Sequence, residues 1–164
     1  MAERLILYTP TRDEARELLR GPGRFRGWGV CAGALPPPFL FECAIKGGEA
    51  DWVMPRLYVD EGAVRVVGAG GFKHVPREGR VEIGYAMSPL CFGRGYATQG
   101  VRLLCAEGFA SALVDEILAE TSPVNLASQR VLEKAGFTWY GAGTDHEGPV
   151  NLWRKKRPPG VPST

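Results

Sequence analysis

Strict alternation marks residues 80–88. Val81, Ile83, Tyr85 and Met87 fall on one face of an extended chain, and Glu82, Gly84 and Ala86 on the other. The same period predicts strands at residues 5–8, 53–59, 63–75 and 116–121, and a closing hairpin of 137–140 with 150–154. Asp60-Glu61-Gly62 is the turn between the second and third of these, and Pro76-Arg77-Glu78-Gly79 leads into 80–88. Helical spacing takes over in three places. Thr11-Arg12-Asp13-Glu14 is a capping-box start for a helix with Ala15, Leu18 and Leu19 on its apolar side, stopped by Gly21-Pro22-Gly23. Ala97, Val101, Leu104, Gly108 and Phe109 line one side of a second helix, and Asn125 and Gly136 bracket a third as its start and stop. A short helix is predicted near residues 39–45. Residues 21–38 carry many Gly and Pro with Phe25 and Trp28 and no period, so they read as a long loop, either a cover over a site or a surface excursion.

Strand 80–88, a crossover helix and strand 116–121 make, most simply, a parallel pair with a right-handed connection. The stretch Phe92-Gly93-Arg94-Gly95-Tyr96-Ala97-Thr98 then lies at the carboxyl end of the first strand, where open sheets bind ligands. Gly93 and Gly95 remove side chains where an anion would approach backbone N–H groups at the helix start, with Arg94 beside them; the bland reading is a tight turn with a helix entry. A dinucleotide fingerprint would need a third glycine where Thr98 stands, and a P-loop would need Gly-Lys-Ser/Thr, which is absent. Gly68, Gly70 and Gly71 inside a strand indicate a bulge or a close-packed neighbour.

Two further positions invite chemistry. Glu82 shares its face with two of the smallest residues, which leaves open space beside a carboxylate, unless that face simply meets water. Ser128 puts a hydroxyl on the stripe of Val131 and Leu132, either toward a site or bonded back to a helix carbonyl. The loop with Asp145, His146 and Glu147 would attract a cationic amine, or is merely solvated.

At 164 residues the chain is long enough for one domain with a proper core, expected over residues 1–157 with a flexible tail at 158–164. Its 20 basic and 18 acidic residues, net +2, are mixed along the chain, and the run Arg154-Lys155-Lys156-Arg157 reads as a solvated end, so no nucleic-acid partner is expected. Cys31, Cys43, Cys91 and Cys105 form no Cys-x-x-Cys pair and read as buried free thiols; with His74 and His146 unpartnered at ligand spacing, no metal is expected. The apolar run at the amino end is too short for a signal peptide and none approaches membrane-spanning length, so the reading is a cytoplasmic protein without a membrane partner.

Three blocks in register carry a family resemblance: Val81-Glu82-Ile83-Gly84-Tyr85 with Pro89, then Gly93 to Thr98, then Asn125-x-x-Ser128-x-Arg130-Val131-Leu132-Glu133-Lys134-x-Gly136-Phe137. Across about residues 50–155 the chain resembles the GNAT superfamily of acetyl-CoA-dependent N-acetyltransferases, most strongly the branch that acetylates ribosomal-protein amino termini. The resemblance implies an α/β (α+β) fold, with a mixed, mostly antiparallel sheet, a splayed parallel strand pair and helices on both faces. It implies acetyl-CoA as cosubstrate, its pyrophosphate cradled by Gly93, Arg94, Gly95, Tyr96, Ala97 and Thr98, its arm near Met87 and Ser88, and its sulfur end near Asn125 and Ser128. Dimer formation is implied by analogy.

An amine attacks a thioester only after losing its proton, so a base is needed. By the family pattern Glu82 is that base, directly or through a water, with desolvation beside Ile83 and Tyr85 raising its pKa towards about 6 to 7, and Ser128 donates to the departing thiolate. The acceptor is a small-molecule amine or a peptide or protein amino terminus. The opposed reading is a non-catalytic acetyl-CoA binder acting as a sensor or partner module. Three positions depart from the pattern: Phe92 for the usual Gln or Arg, Leu132 where many members have an acid tyrosine, and Gln99-Gly100 for Glu-Ala. A helical glycine costs about 1 kcal/mol against alanine and predicts a looser helix start.

Overall fold

The computed structural model describes residues 4–161. From the amino end the chain forms β1 (Leu5–Tyr8), α1 (Arg12–Leu18), β2 (Arg24–Phe25), β3 (Trp28–Val30), α2 (Pro38–Lys46), α3 (Ala50–Val53), β4 (Arg56–Asp60) and β5 (Arg65–Phe72). It continues through β6 (Arg80–Met87), α4 (Tyr96–Phe109), β7 (Glu116–Thr121), α5 (Leu126–Lys134), β8 (Thr138–Asp145) and β9 (Gly148–Lys156). The strands order as β1-β4-β5-β6-β7-β9-β8, antiparallel along this path except for β6–β7, with β3 running parallel to the start of β5. This is the mixed, mostly antiparallel sheet expected.

Alternation divides the strands between two layers. Leu57 and Val59 of β4 join Val66 and Ala69 of β5 under Ala15, Leu18, Phe41 and Ala44 of α1 and α2. The opposite face packs Tyr58, Phe72, Val81, Ile83, Ile117 and Ala119 against Val101, Leu104 and Phe109 of α4 and Leu132 of α5. The capping box of α1 is present, Thr11 Oγ1 accepting from the Glu14 amide at 3.1 Å and the Glu14 carboxylate accepting from the Thr11 amide at 3.0 Å.

Several expectations change. Residues 21–38 are not a featureless loop: β2 and β3 form a hairpin that buries Phe25, whose ring packs with Tyr8 and Trp28. The strand expected from residue 53 starts at Arg56, because residues 50–53 make a helical turn whose carbonyls are gathered by a buried guanidinium. Arg56 donates to the carbonyls of Asp51, Trp52 and Met54 and pairs with Glu107 at 3.0 Å. The strand expected to run to residue 75 ends at Phe72, and the closing hairpin is longer than expected, paired from Asp145↔Gly148 down to Thr138↔Arg154. The basic run is no solvated end. Residues 154–156 belong to β9, Lys155 donates to the Ala135 carbonyl at 2.8 Å, and Arg157 donates to the carbonyls of Phe109, Ser111 and Val114, tying the end of α4 to the sheet. The expected tail at 158–164 falls in part outside the described residues. All four cysteines are free, but only Cys91 and Cys105 are buried; Cys31 is half-buried and Cys43 exposed.

Gly100 is not a weakness of the helix but its seat. A Cβ there would overlap the ring of Tyr58, which is fully buried between α4 and β5, and a Cβ on Gly70 of β5 would overlap the same hydroxyl. Alanine's helix propensity, worth about 1 kcal/mol, is therefore outweighed by overpacking worth about 1–3 kcal/mol at a site with no room to relax. Gly100→Ala is expected to lower the denaturant midpoint, and Tyr58→Leu in that background to recover part of the loss; a Gly100→Ala protein as stable as the parent would contradict this packing.

Candidate functional site

β6 ends where its last residue hands over to a capped turn. Ser88 Oγ donates to the Ala32 carbonyl at 2.6 Å and accepts from the Leu90 amide at 3.3 Å, closing a 3-10 turn at Pro89–Cys91. Gly93 and Gly95 follow at φ +79° and +78°, a left-handed conformation that glycine alone adopts without strain. A Cβ on either would meet nothing within 4 Å, so the turn is open above its backbone. The first ladder bond of α4 runs from the Gln99 amide to the Gly95 carbonyl at 3.1 Å. The amides of Ala97 and Thr98 therefore lie ahead of the ladder, at the positive end of a 14-residue helix. Exposed Arg94 stands beside them.

Tyr96 and Ser88 differ from expectation. The Tyr96 side chain is 1% exposed and points inward, its hydroxyl donating to Asp60 Oδ2 at 2.5 Å and accepting from Arg65 at 3.5 Å. It anchors the turn from below and leaves only backbone to a ligand. Burial pulls the Asp60 carboxyl up, but the Tyr96 hydroxyl, the amides of Ala63 and Gly62 and the charge of Arg65 outweigh it and hold the group below its ordinary range. Ser88 is fully buried in its capping role, and the Met87 thioether packs over Gly68.

The ladder between β6 and β7 consists of Arg80↔Glu116, Val81↔Ile117 and Glu82↔Leu118. Beyond it β6 stays paired to β5 as far as Met87, and β7 to β9 as far as Thr121. A wedge therefore opens between residues 83–87 and 119–121, next to the glycine turn. At its mouth stands the start of α5, where Asn125 Oδ1 caps the helix by accepting from the Ser128 amide at 3.1 Å. Ser128 Oγ lies 2.7 Å from the Tyr85 hydroxyl, which reaches across from β6. Burial pushes the Tyr85 phenol up, with the Ser128 contact opposing.

Glu82 and Ser128 are on opposite faces of the sheet, because Glu82 alternates with Tyr85 along β6; a molecule threading the wedge would meet both. The open space expected beside Glu82 is occupied. Lys73, opposite Glu82 across the β5–β6 pair, forms an ion pair with it, and its stem lies 3.3 Å from where a Cβ on Gly84 would be. The carboxylate thus faces an ammonium rather than the apolar enclosure expected. On this face a cavity of about 310 Å³ is bounded by Lys73, Glu120 and Thr121 and by Asp145 and Glu147 from the β8–β9 turn. Burial raises the Glu120 pKa, Glu82 and Asp145 raise it further, and Lys73 opposes.

Lys73 and Glu120 were missed by sequence reasoning, and Tyr85 was given no part beyond its place in the strand motif and the desolvation of Glu82. The available signal was register: once β5, β6 and β7 are aligned, Lys73 and Glu120 share the face of Glu82. Among the described residues no group of three His, Cys, Asp or Glu side chains converges as a metal site, and no helix is long and apolar enough to cross a membrane.

Comparisons with known proteins agree with this architecture. An uncharacterized N-acetyltransferase, p20 of Bacillus licheniformis, is 35% identical over 83 residues, 50% of this chain and 47% of that protein; the chain thus spans about half the length of that curated relative. The ribosomal-protein-S5-alanine acetyltransferase structure from Vibrio fischeri superposes with a TM-score of 0.72 at 15% identity, covering 98% of this chain and 97% of that one. The aminoglycoside acetyltransferase AAC(6')-Ib in complex with coenzyme A superposes with a TM-score of 0.68 at 22% identity, covering 94% and 95%. At these identities the two structures share the fold. The splayed pair and the glycine turn at its carboxyl end fall within residues 4–138, the stretch that matches the acetyltransferase (GNAT) domain, and the chain belongs to that family.

Proposed function

We propose that the protein transfers an acetyl group from acetyl-CoA to a cationic primary amine. The observation that carries this reading is the termination of the β6–β7 ladder after three residue pairs beside an open glycine turn. One opening is thereby bordered by an anion-binding helix start, a hydroxyl pair and a carboxylate pair. The donor's diphosphate fits the amides of Ala97 and Thr98 with Arg94, since the turn above them is unobstructed. Bound there, acetyl-CoA supplies the activated acetyl group. Gly93, Gly95 and the backbone of Tyr96 shape the turn, Met87 sets the adjacent wall with Ser88 capping the turn beneath it, and Asn125 places Ser128 at the thioester end.

Glu82 and Glu120 face the amine from the two sides of the wedge. A base working near neutral pH needs a raised proton affinity, and Glu120, an exposed carboxylate at the edge of the cavity, carries one: partial desolvation and the neighbouring charges of Glu82 and Asp145 push its pKa up, with Lys73 opposing. This moves the proton-accepting atom from Glu82, the residue suggested by the family pattern, because the Glu82 carboxylate pairs with a cation throughout, Lys73 at rest and the ammonium once it enters. The exposed carboxylates Asp145 and Glu147 favour a cationic acceptor. A small cationic amine suits this mouth, as the AAC(6')-Ib structure in complex with coenzyme A and kanamycin illustrates on the same fold; the ribosomal-protein amino terminus suggested by the branch resemblance is the second reading, in line with the S5-alanine acetyltransferase fold match.

Because the base works deprotonated and its pKa is raised, turnover should rise with pH through that elevated value and fall away below it. Glu120→Gln is expected to lower kcat by about 100- to 10,000-fold and erase this acid limb, whereas Glu82→Gln should move the limb to lower pH by removing a negative neighbour. Thiol release from acetyl-CoA across a panel of amines and amino-terminal peptides, followed against pH, reads both. If Glu82→Gln erases the limb while Glu120→Gln leaves it in place, Glu82 alone is the base.

The acceptor end is tested separately. Asp145→Asn with Glu147→Gln should raise KM for a cationic amine by up to about fivefold per charge, less in high salt, with KM for acetyl-CoA unmoved. Equal KM for cationic and neutral amines in both proteins would remove these carboxylates from acceptor selection.

A further inference from the structure

We infer that Tyr85 is a positioning residue that aims the Ser128 hydroxyl at the donor's sulfur, replacing the acid tyrosine whose place on α5 is taken by buried Leu132. The inference rests on the acetyl-transfer reading above and assigns the direction of one hydrogen bond. A serine in the first turn of a helix ordinarily turns its hydroxyl proton toward a backbone carbonyl one turn back. Here the Tyr85 oxygen lies 2.7 Å from Ser128 Oγ, a contact in which either hydroxyl can donate, and 3.4 Å from the Ser128 carbonyl, which can only accept; among the described residues both acceptors open to the phenol belong to Ser128, and the shorter contact is taken as the one it donates to. Among the described contacts Ser128 Oγ has no other partner. With the phenol donating, Ser128 Oγ is an acceptor from Tyr85 and its own proton is released toward the wedge.

In the transfer step the amine nitrogen bonds to the acetyl carbon as the carbon–sulfur bond breaks. The electron pair leaves on sulfur as a thiolate; of the two protons the ammonium nitrogen loses, the first goes to the Glu82–Glu120 pair before attack and the second is taken up by the thiolate once the carbon–sulfur bond has broken. The Ser128 O–H stabilises that thiolate, and the chain from Tyr85 through Ser128 strengthens it, since a hydroxyl that accepts one hydrogen bond donates a better one. The phenol gives up no proton: its raised pKa keeps it a donor across the neutral range. Tyr85 touches the reaction only through Ser128.

A titration independent of turnover decides the matter. Coenzyme A bearing a labelled carbon next to sulfur is bound to the full-length protein, and the thiol's ionisation is followed against pH by the NMR shift of that carbon. In the parent its midpoint should lie below that of free coenzyme A. Tyr85→Phe and Ser128→Ala should each raise it by about one pH unit, a tenfold loss of thiolate stabilisation. The double variant should shift it no further than Ser128→Ala alone, because one donor acts through the other. Turnover should follow, kcat falling about tenfold in Tyr85→Phe with KM for acetyl-CoA unchanged. An unmoved midpoint in Tyr85→Phe, full additivity in the double variant, or tighter coenzyme A binding without a shift would overturn the inference, the last marking the Tyr85–Ser128 bond as a gate. If the parent binds coenzyme A but acetylates no amine, the acetyl-transfer reading fails while the titration still judges Tyr85; if it binds no coenzyme A, both fail.

Discussion

The β6–β7 ladder ends after Glu82↔Leu118 although both strands continue, each held on its outer side by an antiparallel neighbour. A sheet interior does not ordinarily give up paired amides, since each buried backbone group left without a partner costs about 1–3 kcal/mol. The wedge is tolerated because it opens at the carboxyl end of the strands, where water or an amide-bearing ligand arm reaches the inner edges of β6 and β7. Everything proposed for the site follows from that parting. It separates the face with Glu82, Lys73 and Glu120 from the face with Tyr85 and Ser128, and it leaves one passage that touches both.

What keeps the glycine turn in line with the passage is β4, two strands away. Tyr58 and Asp60 alternate onto the same side of that strand and grip α4 at two points. Tyr58 fills the slot made by Gly70 and Gly100, and Asp60 accepts the hydroxyl of Tyr96 at the first helical residue. One grip is steric and the other is a hydrogen bond to a carboxylate, so together they fix both the depth and the rotation of the helix start. Among the described residues the Tyr58 hydroxyl finds no hydrogen-bond partner, a cost that the close approach of α4 to the sheet must offset. The two glycines that weaken local propensity are therefore what let the helix come near enough to aim its amides at the wedge.

Local chemistry made part of this legible before the structure. The β7 boundaries, the Thr11–Glu14 capping box and the Asn125 cap depend on a few neighbouring residues, and the alternation along β6 assigned its two faces correctly. Strands of two and three residues have no period to find, so the hairpin holding Phe25 was invisible. Trp52 and Val53 are good strand formers, yet residues 50–53 close into a helical turn through their own amides, and Arg56 gathers the carbonyls of Asp51, Trp52 and Met54 beside it. In the site, Glu82, Asn125 and Ser128 sit in recognisable motifs. Lys73 and Glu120 gain their meaning from register across three strands, which no single stretch of sequence contains, and the inward turn of Tyr96 depends on Asp60, 36 residues away.

The charge arrangement at the acceptor end bears on how a cation would enter. Lys73 already neutralises Glu82 and lies over Gly84, so the resting mouth is not the bare acidic patch that its carboxylates alone would make. An incoming ammonium competes with Lys73 for the same oxygens. Because half of the Lys73 side chain is exposed, it swings into solvent without losing much hydration, and one cation replaces another at nearly constant local charge. A neutral or anionic molecule offers no such exchange: it must either leave Lys73 in place across the slot or uncover Glu82 beside Glu120 with no positive charge between them. For the cationic acceptor proposed, selection would therefore reside in the lysine that blocks the slot as much as in the carboxylates that line it.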